Sequence, residues 1–219
     1  MKLLFGAGLV GLVVLSACGN DVDKSSNTEV IRALSASTAA KIKGASAPIE
    51  RMTRARLAEV VTPVMLLSVD ASGKQALIAE IQSNGGVETW STVDDITISL
   101  RKGVIVATRG FGADLMAASA PVVSRAVGNG QSHSRVHTVL DGEDKPVRTH
   151  FTCTFQINGQ QVIDIVEIKY NLTQVTEDCV ADTVRFRNLY WMTDDQHLRK
   201  SRQWISPEVG FLTIEDVRR

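Results

Sequence analysis

The chain is poor in the features that would assign it a class at once. Its net charge is zero, with 24 basic and 24 acidic residues, so no basic field invites nucleic acid and no like-charge block forms an interaction tail. Beyond residue 18 no apolar run reaches the roughly 18 residues that a spanning helix needs, so membrane attachment through a helix falls to the N-terminus. No internal repeat and no low-complexity segment occurs. Aromatic residues are only 5% of the chain, which makes the three tryptophans conspicuous. Cysteine is limited to three residues, Cys18, Cys153 and Cys179, and no histidine sits at ligand spacing from either of the last two. No metal and no cofactor is therefore expected. The apolar fraction, 44%, is ordinary for a globular chain and argues against disorder.

Cys18 closes a run that begins with Met1-Lys2, continues through apolar Leu3–Leu15 and ends in Ser16-Ala17. A positive start, a short apolar core and small residues before the break make a secretory signal, too short to cross a bilayer comfortably. Leu15-Ser16-Ala17-Cys18 has the form of a bacterial lipobox, in which the thiol takes lipid and becomes the new N-terminus. A plain cleaved signal with an incidental cysteine is the alternative. One acyl chain binds only marginally, whereas two or more hold stably at about 0.8 kcal/mol per buried CH₂. The signal spans residues 1–17. Residues 18–27 read as a flexible tether, about 30 Å at full extension. With Cys18 lipidated, Cys153 and Cys179 form an even pair in an oxidising compartment, a disulfide closing a loop of about 27 residues. Two buried free thiols are the alternative.

Residues 28–61 read as a helical segment. Ser26 and Glu29 resemble a capping box, Val30, Ile31, Leu34 and Ile42 fall loosely at helical spacing, and Gly44 would end that helix. A second short helix is predicted from Pro48 to Val60, with Ile49, Met52 and Val60 on its apolar face and Arg51, Arg54 and Arg56 turned to water. From residue 62 to 219 the pattern is β. Val64–Val69, Ala76–Ile81, Val87–Thr92, Ile96–Leu100 and Val104–Thr108 are short strands separated by turn residues. Asp114–Ala118 reads as one or two helical turns and Val127–Gln131 as a loop. Strands resume at Ser134–Leu140, and Val147–Gln156 and Gln161–Tyr170 read as a hairpin about Asn158-Gly159. Three more strands lie near Thr183–Met192, Leu198–Trp204 and Gly210–Val217. The predicted fold is mainly β, an antiparallel partly open barrel or sandwich with one or two short N-terminal helices.

The candidate chemistry is sparse. Arg109-Gly110-Phe111-Gly112-Ala113-Asp114 partly echoes a dinucleotide loop, but Leu115 stands where the third glycine belongs and no parallel βαβ unit surrounds it. A tight glycine loop capped by Asp114 is the simpler reading. His133 and His137 share one face of a strand about 13 Å apart, too far for one metal, and His150 and His197 lack an obvious partner. Asp94-Asp95, Glu143-Asp144 and Asp194-Asp195 are acid pairs in apparent turns. A glycosidase needs two carboxyls about 5–10 Å apart, which sequence cannot show. No nucleophile elbow accompanies a Ser-His-Asp set. Trp191 and Arg202-Gln203-Trp204 lie on neighbouring predicted strands, where indole faces and polar groups would suit a sugar. Trp191, Arg202 and Trp204 are thus candidate glycan or partner contacts, with a core role for the tryptophans as the alternative.

Three separated stretches agree in order with a known family: Thr89–Gly103 (TWSTVDDITISLRKG), Val106–Met116 (VATRGFGADLM), and Arg187–Trp191 followed by Ser201–Pro207 (RNLYW, SRQWISP). This resembles the YjbF-like, or group 4 capsule polysaccharide, lipoproteins from about Thr53 to the end. The resemblance implies an outer-membrane lipoprotein facing the periplasm, with a barrel-like β-domain. It also implies a link to exopolysaccharide or capsule production and export beside a large outer-membrane protein. Cys153 and Cys179 match positions that resemble disulfide-bonded ones. No catalytic residue comes with the family. Gly19 after Cys18 is compatible with sorting to the outer membrane. The expected function is non-enzymatic assistance of polysaccharide assembly or export, with an envelope enzyme that trims the polymer as the alternative.

Overall fold

The structure, a computed structural model, describes residues 52–124, 132–182 and 184–218. The lipobox, the tether, the first expected helix, Pro48, Ile49, Arg51 and the expected loop at 127–131 lie outside those residues. Among the described residues the strands are β1 (Val64–Val69), β2 (Lys74–Asn84), β3 (Val87–Ser91), β4 (Thr97–Arg101), β5 (Val104–Arg109), β6 (Ala117–Ser119), β7 (His133–Leu140), β8 (Pro146–Ile165), β9 (Ile168–Ala181), β10 (Val184–Met192), β11 (Leu198–Ser206) and β12 (Gly210–Arg218). All pair antiparallel in one sheet of order β5-β4-β3-β2-β1-β12-β11-β10-β9-β8-β7-β6. Two meanders thus meet where β1 pairs with β12. The sheet curls into a nearly closed barrel with one seam, between β5 and β6.

Period-two alternation builds a core on each face of this sheet. On β1, Met65 and Leu67 join Ile78, Trp90, Ile98, Leu100, Ile105, Leu212 and Ile214 in the barrel core. Val64 and Leu66 turn the other way and join Leu77, Ala79, Ile165, Leu172, Trp191 and Val217 beneath a short helix. That helix, α1 (Arg54–Ala58), is capped by Thr53 and buries Leu57. It is shorter than the span expected from Pro48.

The seam is stitched by side chains and a loop. The Thr108 N–H donates to the Leu115 carbonyl at 2.9 Å, and Met116 N–H to Thr138 O at 2.9 Å. The Arg109 guanidinium reaches the carbonyls of Leu115 and Met116 at 3.2 and 3.4 Å. From across the barrel, Gln203 Oε1 accepts the Ile105 N–H and its Nε2 donates to Gly103 O, both at 2.9 Å. An open strand edge would otherwise leave these backbone groups bare.

Three local expectations are corrected. Asn158-Gly159 does not turn the chain. β8 runs through it with a register shift between Ile157 and Gly159, a bulge at which Gly159 takes φ 93°. The reversal falls at Val166-Glu167, where Ile165 pairs with Ile168 and both loop residues have positive φ, 46° and 66°. That is the dihedral pattern of a type I′ hairpin, strained for a β-branched residue. Asp114–Ala118 is not helical: Leu115 is buried in the barrel core and Ala117–Ser119 is β6. Arg54 does not face water. Its Nε, Nη1 and Nη2 donate to the carbonyls of Val166, Val217 and Ile165 at 2.6, 2.7 and 2.9 Å.

Those contacts explain how a valine holds a left-handed turn: Arg54 grips its carbonyl, and Asp164 Oδ1 accepts the Glu167 N–H at 2.9 Å. Arg54→Ala is expected to cost about 2–3 kcal/mol, the range for charge-assisted bonds lost from a partly buried site. Amide exchange should accelerate at 54–60 and 163–170 while the barrel strands keep their protection. Unchanged exchange at the hairpin tip would refute the role.

Candidate functional site

The densest polar cluster among the described residues lies inside the sheet, on β7, β9 and β10. Alternation places His133, Arg135 and His137 on one face of β7, and register sets Arg135 opposite Phe151 on β8. On β9, Val175, Glu177 and Cys179 share the corresponding face, with Glu177 opposite Phe155 and Asn188. Glu177 is fully buried and Arg135 is 2% exposed. The guanidinium meets the carboxylate fork to fork, Nε to Oε1 at 3.2 Å and Nη2 to Oε2 at 3.0 Å. Tyr190 Oη and Asn188 Nδ2 each donate to Oε2 at 2.8 Å. The anion only accepts, so His133 Nε2 donates to Oε1 at 2.9 Å.

Burial alone would raise the Glu177 pKa. The His133 hydrogen bond, the Arg135 charge and the bonds from Asn188 and Tyr190 outweigh it and hold the carboxyl down to about 2. Burial, then the neighbouring Glu177 charge, push the Tyr190 phenol well above its ordinary value. His137 is lowered to about 3 by burial and by the Arg135 charge. Arg135 Nη1 lies 3.3 Å from His137 Nε2. A guanidinium can only donate, so the imidazole is neutral with its proton on Nδ1. Phe151, Phe186 and Trp204 ring His137 at centroid distances of 5.3, 5.8 and 5.6 Å.

Such a cluster orders strands. A carboxylate whose lone pairs are filled and whose pKa is near 2 is a poor general base at neutral pH. Sequence reading weighed His133 and His137 but missed Arg135, Glu177, Asn188 and Tyr190. The available signal was polar residues at every second position of one strand, 133, 135 and 137, where one face should be apolar. The partner strand could not be named without the register.

The bridge between Cys153 and Cys179 is present, across directly paired positions of β8 and β9 with Cα atoms 4.1 Å apart. The register also sets His133 beside Cys153. The other candidates are dispersed. Asp94 and Asp95 lie in the turn between β3 and β4, and Asp194 and Asp195 in that between β10 and β11. Glu143 pairs with Lys145 in an exposed turn. Asp114 anchors its glycine loop as expected: it accepts the Gly110 and Phe111 N–H groups at 2.9 and 3.2 Å and the Thr108 hydroxyl at 2.7 Å. His197, which has no evident partner in sequence, places Nε2 2.6 Å from buried Asp216.

Trp191 is 7% exposed, and its indole N–H donates to Gln161 Oε1 at 3.1 Å. Trp204 is half-buried and stacks on Phe186 at 4.6 Å. Arg202 lies over the Phe211 ring at 3.7 Å, with Nε donating to Asp70 at 2.6 Å. The trio is therefore not one open platform. Trp191 belongs to the core under α1, whereas Arg202 and Trp204 are partly exposed on β11.

Comparison with known proteins fits this picture. The family model described as group 4 capsule polysaccharide lipoprotein gfcB, YjbF matches residues 32–217. The crystal structure of the hypothetical lipoprotein YmcC from Escherichia coli (K12) superposes with a TM-score of 0.68 at 13% identity, covering 86% of this chain and 95% of that one. At that identity the likeness shows a shared fold. No curated protein matches.

Proposed function

We infer, from the premise that this chain belongs to the YjbF family of group 4 capsule polysaccharide lipoproteins, that it is a non-enzymatic helper of polysaccharide assembly or export. It works at the outer membrane, facing the periplasm. Lipid on Cys18 anchors it, residues 18–27 tether it, and the β-domain meets the export machinery. The family match across most of the chain carries this reading. Support for a non-enzymatic role comes from the acids: Asp94-Asp95, Asp114 and Asp194-Asp195 occupy different turns, and buried Glu177 is saturated with hydrogen bonds. Contact with polymer or protein is assigned to the partly exposed Arg202 and Trp204, while Trp191 serves the core under α1.

Cys18→Ala is the decisive variant. It is expected to leave the folded domain unanchored and to fail to restore surface polymer in a deletion strain. Alanines at Asp94, Asp95, Asp114, Asp194 and Asp195 are expected to restore it. Polymer released to the medium and membrane fractionation report both. Full restoration by the Cys18 variant overturns the anchoring. One folded aspartate variant that abolishes polymer processing establishes the enzyme reading instead.

A further inference from the structure

We propose that the reduced form of this protein holds a zinc ion between Cys153, Cys179, His133 and Glu177. The register places these donors side by side. His133 on β7 pairs with Cys153 on β8, Cys153 pairs with Cys179 on β9, and Glu177 lies two residues from Cys179 on the same strand face. Ligand atoms of His133, Cys153 and Glu177 all lie within 4.8 Å of one another. Cys179 Sγ is bonded to that of Cys153, so the fourth donor sits in the same cluster. Both cysteines and the glutamate are buried.

While the disulfide stands, its sulfurs are uncharged and bound to each other, and Glu177 balances Arg135. Reduction by a dithiol breaks the S–S bond, delivers two electrons and two protons to give two thiols, and leaves the dithiol as its own disulfide. Zinc then displaces the two thiol protons and forms two Zn–S bonds. The donor set of two sulfurs, one imidazole nitrogen and one carboxylate oxygen suits tetrahedral zinc, with Zn–S near 2.3 Å and Zn–N and Zn–O about 2.0–2.2 Å. The donors must draw together for this, which the freed cysteine side chains can do by rotation about χ1.

Charge selects the ion. Two thiolates and Glu177 carry three negative charges, and a divalent cation together with Arg135 supplies three positive ones. A monovalent ion would leave a net charge buried, at high cost. To ligate, His133 gives up its Nε2 proton, which also vacates the position on Glu177 Oε1 that this donor fills in the oxidised form. Its Nδ1 is buried with no hydrogen-bond partner, so moving the proton there breaks no bond on that side.

The test uses the purified full chain, oxidised and anaerobically reduced, titrated with zinc chloride against a chromogenic chelator while circular dichroism follows the fold. Reduced protein should bind one zinc at least about 100-fold more tightly than oxidised protein, scaled to what ligating thiolates contribute to protein zinc sites. Cobalt(II) in place of zinc should show thiolate-to-metal charge transfer. His133→Ala, which keeps both cysteines, should weaken binding at least about 10-fold. His150→Ala, on the opposite face of the sheet, should not. Equal binding by the oxidised and reduced forms overturns the proposal, as does unchanged affinity in His133→Ala. A reduced chain that unfolds and is not refolded by zinc overturns it equally.

Discussion

Glu177→Leu is expected to cost the folded state about 3–5 kcal/mol, the range for leaving one member of a buried ion pair uncompensated. The replacement strands Arg135, a guanidinium 2% exposed, among Tyr190, His137 and apolar rings. It also frees three donors, on His133, Asn188 and Tyr190, that aim at the lost oxygens. Asn188 is a hinge of this arrangement, since its Oδ1 accepts the Trp204 N–H from β11 at 2.8 Å. Loss of the carboxylate therefore reaches four strands. Urea denaturation measures it. The double variant Arg135→Met, Glu177→Leu should recover much of the loss, because it removes the stranded charge. A single-variant cost below about 1 kcal/mol, or a double variant as unstable as the sum of its parts, contradicts the assignment.

Acidification should destabilise the domain in two stages. The folded His137 resists protonation until about pH 3, against an ordinary value of 6.5, because of burial and then the Arg135 charge. The folded Glu177 carboxyl resists until about pH 2, against 4.5. In both, the unfolded chain binds the proton first, so stability is full above about pH 6.5 and falls as pH falls. The loss starts with His137 near pH 6.5, steepens below 4.5 when Glu177 joins, and continues toward pH 2. Together these shifts amount to several kcal/mol, on the order of a small domain's whole stability. Urea midpoints at pH 7.5, 5.5 and 4 measure the slope. His137→Gln keeps an acceptor for Arg135 and cannot titrate, so it should flatten the stage between 6.5 and 4.5. A flat wild-type profile over that interval sinks the account.

Most of the strands were legible from the chain because alternation and turn chemistry agreed there. Val64–Val69 is recovered as read, and the strand expected at Ile96–Leu100 is β4, with Ile98 and Leu100 in the barrel core. Legibility failed where a tertiary contact overrode local preference. Asn158-Gly159 has strong turn chemistry, yet the chain spends it on a bulge. Val166-Glu167 has poor turn chemistry, yet Arg54, more than 100 residues upstream, holds the reversal in place. Arg54 itself read as a solvated cation for the same reason. The Glu177 cluster was invisible because its members come from three strands, and only register brings 135, 177 and 190 together. The bridge between Cys153 and Cys179 was accessible because parity and compartment sufficed. Its proximity to His133 was not, because cross-strand pairing has no signature in linear spacing.

The pairing of β1 with β12 decides when the molecule can first exist as a whole. Val64–Val69 leaves the ribosome well before Gly210–Arg218, and these two strands are the only ladder joining the two meanders at the middle of the sheet among the described residues. Until that late strand arrives, no ladder joins the two ribbons, and each has a bare flank open to mispairing. Closure across about 145 residues is entropically slow. The nascent chain therefore needs shelter until Gly210–Arg218 emerges, and a stop codon ahead of Gly210 would leave two sticky halves in place of a shortened barrel.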